Sequence, residues 1–152
     1  MRFVEVNEIR ATFVAKHLRQ GDRDEVLYSS GETPWEAVYG SWQASDESFC
    51  IEGDTGRPVG LCGITPAREG GLVWLLGTDE MLSTLSHRKQ FLAQGRAWVD
   101  RGVVDWGSLH NWVYNKNQAS MRWLKTLGFV IHPARPMGPY SQLFCYFERE
   151  AD

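Results

Sequence analysis

Apolar residues recur along the chain first at helical spacing and later in alternation. Residues 3–6 read as an opening strand, and Asn7 is placed to cap a helix in which Ile9, Phe13, Val14, His17 and Leu18 recur at helical spacing. The Gly21-Asp22 pair is expected to end that helix, with Asp22 opening a short second one that carries Val26 and Leu27. The clearest start signal is Thr33-Pro34-Trp35-Glu36, which joins a capping hydroxyl, a first-turn proline and a glutamate three residues after the cap. That helix turns Ala37 and Val38 inward and fades near Trp42.

The period then changes to two. Residues 48–52 and 59–64 read as a hairpin across the turn-rich segment 53–58. Gly60 and Gly63 inside the second strand predict close backbone approach or a bulge. After a turn at 68–71 comes a fourth strand over 72–76, apolar throughout as a central buried strand would be. Residues 78–85 show no period. Ser86 is expected to cap a long helix carrying Phe91, Leu92, Gly95, Trp98 and Val99 inward, with Gly102 as its stop. A fifth strand over 108–114 precedes a helix over 118–127 that ends on Gly128. Strands over 129–132 and 140–147 close the chain, joined by a stiff loop at 133–139. The order predicts a single α/β domain over 1–152, with a mixed, mostly antiparallel sheet of six to seven strands and helices on both faces.

Composition adds exclusions. The chain has 152 residues, 43% hydrophobic and 23% charged, enough apolar material for one core without disulfides or metal. A net charge of −3 lacks the basic footprint of a nucleic-acid binder. Cys50, Cys62 and Cys145 form no CxxC pair and read as buried thiols in a reducing, cytoplasmic setting. No run reaches the ~20 apolar residues of a membrane span, so a membrane role is not expected. Seven tryptophans serve core packing, with Trp42 and Trp106 placed near segment ends as surface anchors.

The element order resembles the GNAT (Gcn5-related N-acetyltransferase) superfamily over nearly the whole chain. The sharpest match is the segment 117–129, where Asn117, Ser120, Trp123-Leu124 and Gly128-Phe129 stand at the family's spacing. The resemblance implies acetyl-CoA or CoA as cofactor and an unidentified amine as acceptor. It implies that strands four and five part and that the pantetheine arm fills the gap as a pseudo-strand. Leu75, Leu76, Gly77 and Thr78 would border that gap, and Asn117 and Ser120 would lie beside the cofactor. Ser86, His87, Arg88 and Lys89 would meet the pyrophosphate at the helix start, or would form a solvated basic first turn.

Two departures stand out. The helix start has no glycine where the family has a Gly-rich turn, and Leu124 stands where many members have a proton-donating Tyr. Asp79 and His110 are the catalytic candidates, alongside Glu80 and Glu52; each also fits a solvated or packed role. Tyr140 and Gln142 are candidates for the acceptor cleft by fold analogy.

The segment 74–129 is also similar to GNAT-like proteins of tailed bacteriophages, some of them internal virion or assembly proteins. That similarity implies host cytoplasm or virion as location and phage or host proteins as partners. Two functions follow: an acyl-CoA-dependent N-acyltransferase working by direct amine attack, and a catalytically degenerate binding module. The run 143–147 suits either pairing with a second copy or a central strand.

Overall fold

The computed structural model describes residues 1–152. The chain begins with β1 (Arg2–Val4), α1 (Glu8–Lys16), α2 (Gln20–Ser30) and α3 (Pro34–Ala44). Three strands follow: β2 (Glu47–Glu52), β3 (Pro58–Pro66) and β4 (Gly71–Gly77). A 3-10 turn over Asp79–Leu82 leads into α4 (Leu85–Trp106), β5 (Ser108–Tyr114) and α5 (Gln118–Thr126). The chain closes with β6 (Val130–Ile131), β7 (Arg135–Met137) and β8 (Gln142–Glu150). One sheet runs in the order β1-β2-β3-β4-β5-β8-β6, and β7 also pairs with β8. Its only parallel pair is β4 with β5.

Helices cover both faces. On one, Phe91, Trp98, Val99 and Val103 of α4 pack with Ile64, Val73, Leu109 and Val113 of the sheet. On the other, Ala11, Val14, Val26 and Val38 of α1–α3 pack with Cys50, Leu61 and Leu76. The capping box at Thr33 forms as expected: Thr33 accepts from the Glu36 N–H, and Glu36 accepts from the Thr33 N–H at 3.1 Å. The three thiols are free and buried. Burial pushes Cys50 up to about 12 and raises Cys62 and Cys145. No helix is long and apolar enough to cross a membrane.

Several boundaries differ from the sequence reading. Gly21 and Asp22 do not end a helix; α1 stops at Lys16, and both residues lie in the first turn of α2. Thr84, not Ser86, caps α4, its hydroxyl accepting from the His87 N–H at 3.0 Å. Gly102 does not stop α4, which continues to Trp106. A Cβ at Gly102 would stand 3.0 Å from Leu109 and 3.2 Å from Ile64, so this glycine lets the helix approach the sheet. Gly63 has the expected role, since a Cβ there would stand 2.7 Å from the Glu47 carbonyl and from the Trp74 ring. The stiff loop contains an eighth strand, β7, which pairs beside β8 at Arg135–Phe144. Both edges of β8 are thereby paired, so the run 143–147 is a central strand and offers no edge to a second copy.

Candidate functional site

The parallel pair β4–β5 holds for only two residue pairs, Gly71–Leu109 and Leu72–His110. The next rung would join the Val73 carbonyl to the Trp112 N–H. The Asn111 carboxamide stands between them instead. Its Nδ2 donates to the Val73 carbonyl at 2.9 Å, and its Oδ1 accepts from the Trp112 N–H at 2.8 Å. Both backbone groups are satisfied without touching each other, and from here the strands part.

The far end of the gap is bridged by α2. Asp22, buried to 1% exposure, accepts from the Gly77 N–H at 2.8 Å and from Asn117 Nδ2 at 3.2 Å. Glu25 accepts from the Tyr114 N–H at 2.8 Å and from Asn117 at 3.4 Å. The Arg19 N–H donates to the Gly77 carbonyl at 3.0 Å, while its guanidinium donates to Ser120 at 2.6 Å and lies 5.8 Å from the Trp123 ring centre. Arg19 Nε stands 3.0 Å from Asp22 as an ion pair, but its N–H is not aimed for a hydrogen bond. Arg19 thus runs from the end of β4 to α5, across the mouth of the gap. Between this strap and Asn111, Leu75 is the residue whose backbone faces the gap with no strand opposite, because it alternates with Val73 and Gly77.

Glu25 is the one carboxyl with a large displacement, pushed up to about 7. Burial is the main cause and the neighbouring Asp22 adds to it, whereas the bonds from Tyr114 and Asn117 and the charge of Arg19 oppose it. Glu25 also lines a cavity that is partly open to solvent. A group titrating near neutrality, beside a gap in the sheet, has the properties of a proton acceptor.

That cavity, about 280 Å³, passes through the gap and is lined from both sides of the sheet. Glu25, Ser29, Glu32 and Ser41 contribute from the α2–α3 side, with Trp74 and Trp112. Phe91, Trp98, Trp123 and Leu124 contribute from the α4–α5 side. Leu75, Leu76 and Asn111 form its waist.

Of the residues expected around a cofactor, Leu75, Leu76 and Ser120 line the cavity. Gly77, Asn117 and Ser120 are already bonded within the strap. Asn117 does not cap α5, because its side chain is spent on α2. Thr78 is buried and bonds back to the Val59 carbonyl through both its N–H and its hydroxyl. At the start of α4, Ser86, Arg88 and Lys89 are exposed. His87 is not: it is 5% exposed, with Nδ1 at 3.0 Å from the Glu80 carbonyl and Nε2 at 3.3 Å from the Asp54 N–H. Nε2 also stands 3.2 Å from the Asp54 carboxylate, so the ring meets Asp54 through both its backbone and its side chain. The His87 side chain is a structural tie between α4 and the β2–β3 turn.

The catalytic candidates lie elsewhere. Asp79 is exposed in a shallow depression beside His17 and Arg57. His110 Nε2 stands 2.7 Å from the Glu69 carbonyl, outside the cavity lining. Glu80 pairs with Arg57 at 2.9 Å, and Glu52 with Arg2 at 3.2 Å. Tyr140 is exposed and rests edge-on against Tyr28; neither it nor Gln142 lines the cavity, where Met137 does. Sequence reasoning missed Glu25 and Asn111. Glu25 sits in a mostly polar helix of no marked period and Asn111 in the middle of a strand; neither carries a local signal.

This architecture, with helices on both faces and β4 parting from β5, is the GNAT acyltransferase fold. Solved structures match the chain along nearly its full length. One is a ribosomal-protein-alanine N-acetyltransferase from Brucella melitensis, at TM-score 0.71 and 12% identity over 99% of this chain and 100% of that one. A phosphinothricin acetyltransferase from Sinorhizobium meliloti, solved with AcCoA, matches at 0.71 and 11% identity over 98% and 87%. A spermidine N-acetyltransferase from Vibrio cholerae, solved with CoA and spermine, matches at 0.68 and 11% identity over 98% and 94%. No protein-family model matches the sequence, and no curated protein does.

Proposed function

We propose that this protein is an acyl-CoA-dependent N-acyltransferase in which an amine attacks the acyl carbon directly. The observation that carries the reading is the parting of β4 and β5 at Asn111 beside a cavity that crosses the sheet. Leu75 offers a backbone N–H and C=O to an extended chain lying in that gap. The pantetheine arm of CoA is such a chain. At the start of α4, Thr84 accepts from His87 through its hydroxyl and from Arg88 through its carbonyl. The first turn therefore leaves the N–H groups of Leu85 and Ser86 open, with Arg88 and Lys89 as exposed cations beside them. These groups suit a pyrophosphate without a Gly-rich turn.

When bound there, acyl-CoA supplies a thioester whose sulfur leaves as thiolate once the amine nitrogen has bonded to the acyl carbon. In this reading the Leu75 N–H polarises the acyl oxygen at the end of that chain, and the Leu75 carbonyl is the group that the pantetheine arm uses. Gly77 N–H is not available for that role while Asp22 holds it. Glu25, ionised above about pH 7, takes the proton that the amine must lose and returns it to solvent. Leu124 keeps the α5 side of the gap apolar and donates nothing, so the thiolate leaves unprotonated.

The strap favours a second reading. Arg19 crosses the mouth, and Gly77, Asn117 and Ser120 are satisfied within the chain, as in a degenerate domain that keeps the fold for binding proteins. The phage virion or assembly role implied by the resemblance belongs to this reading. Thiol release from acetyl-CoA with a panel of primary amines separates the two. Turnover that fails in Glu25→Gln supports the transferase; no release with any amine supports the binding module.

A further inference from the structure

The charges lining the cavity are all of one sign. Glu25 and Glu32 are the acidic residues of its lining, and no Lys, Arg or His contributes. Cys62, also in the lining, is neutral, its thiol raised by burial. The nearest cation, Arg19, is spent on Asp22 and Ser120. Both carboxylates lie on the α2–α3 side of the sheet, Glu25 held by Tyr114 and Glu32 by a 2.6 Å bond from Ser30. Trp74 packs against the core on that same side, and Trp112 alternates with Leu109 and Val113, which face the other. Two indoles therefore share this side of the lining with the carboxylates, and indole faces attract cations.

We propose that this wall is the acceptor subsite and that it takes a small cationic amine with an apolar or aromatic body and no carboxylate. The proposal rests on the transferase reading for its chemistry, but its recognition logic stands on the lining alone. An ammonium entering here meets Glu25 as its first partner, with Glu32 nearer the outside. A carboxylate on the same molecule would be desolvated beside two like charges with no cation to offset it. Amino acids are therefore excluded while their decarboxylated amines are admitted. The whole cavity, about 280 Å³ over both sides of the sheet, is small for a ligand site, so the part on this side suits a compact amine rather than a polypeptide.

The test is calorimetric titration of the full chain at pH 8 with tryptamine and with L-tryptophan, which differ by one carboxylate. Tryptamine is expected to bind at least about tenfold more tightly. Glu25→Gln is expected to weaken tryptamine and to bring the two affinities together, which a purely structural role for Glu25 would not do. Glu32→Gln, farther from the strap, is expected to narrow the gap less and serves if Glu25→Gln does not fold. Equal binding of the two probes, no binding of tryptamine, or an unchanged ratio in both variants overturns the proposal. CoA titrated into the same samples keeps the two readings apart. CoA binding without tryptamine binding sinks the acceptor class alone, and tryptamine binding without CoA binding sinks the transferase while sparing the subsite.

Discussion

Glu25 accepts a 2.8 Å hydrogen bond from the backbone N–H of Tyr114, a group that a regular β4–β5 ladder would have used. A helix side chain thus stands in for a strand. Its carboxyl is raised from 4.5 to about 7, first by burial and then by Asp22. The folded protein therefore holds this proton over a range where the unfolded chain has released it. The contribution to stability is fully present below pH 4.5 and is lost as pH rises through 7. Glu25→Gln removes that dependence. Compared with the parent in urea melts at pH 5 and pH 8, the variant is expected to gain relative stability at the higher pH, by at most about 3 kcal/mol.

Asn111 decides where the strands part. Asn111→Asp keeps an acceptor for the Trp112 N–H but removes the donor to the Val73 carbonyl and sets two oxygens against each other. The expected loss is about 1–3 kcal/mol in chemical denaturation. Asn111→Val deletes the spacer. The direct Val73–Trp112 rung can then form, so Trp112 amide exchange should slow by hydrogen-exchange measurement while ligand binding in the gap is lost.

Arg88→Glu with Lys89→Glu reverses the exposed charge at the start of α4. CoA affinity should fall by at least about tenfold in calorimetry, with the melting temperature of the free protein little changed, since neither side chain is buried. His87→Ala should behave oppositely. It breaks the tie between α4 and Asp54 and leaves the Asp54 N–H and the Glu80 carbonyl short of a partner. A loss of about 1–3 kcal/mol is expected in thermal or urea unfolding, with CoA affinity per folded molecule retained.

Gly63→Ala tests the register of β3 against its neighbours. The added methyl would meet the Glu47 carbonyl and the Trp74 ring at 2.7 Å, and a backbone atom cannot step aside as a side-chain end can. About 1–3 kcal/mol of destabilisation is expected by denaturant titration.

The sequence made the layers legible because periodicity and caps are local. Thr33-Pro34-Trp35-Glu36 marked α3, and the apolar run around Leu72–Leu76 marked a central strand, since few other structures use such patterns. The parting of β4 from β5 followed from the family resemblance, not from any local pattern. What remained hidden depends on partners distant in sequence. Gly102 reads as a helix stop until Leu109 and Ile64 are seen against it. Ser86 and Thr84 are equally good caps on paper, and the position of His87 under the β2–β3 turn selects Thr84. Glu25 looks like a solvated helix residue, and only its meeting with Tyr114 and Asn117, 89 and 92 residues away, makes it the proton-accepting candidate. Asp79, just past the end of β4, and His110, within β5, are polar residues near the expected gap, yet neither lines the cavity.

The account stands most directly on whether the opening beside Leu75 accepts the extended arm of CoA past the Arg19 strap. Isothermal titration of the intact protein with CoA and acetyl-CoA, checked by thermal shift, measures this. The expected result is micromolar binding, with stabilisation of about 4 kcal/mol at a thousandfold excess over the dissociation constant, abolished in Asn111→Val. Absence of heat and of any shift at millimolar CoA would contradict the account, leaving a domain that keeps the GNAT shape with its gap sealed by its own α2.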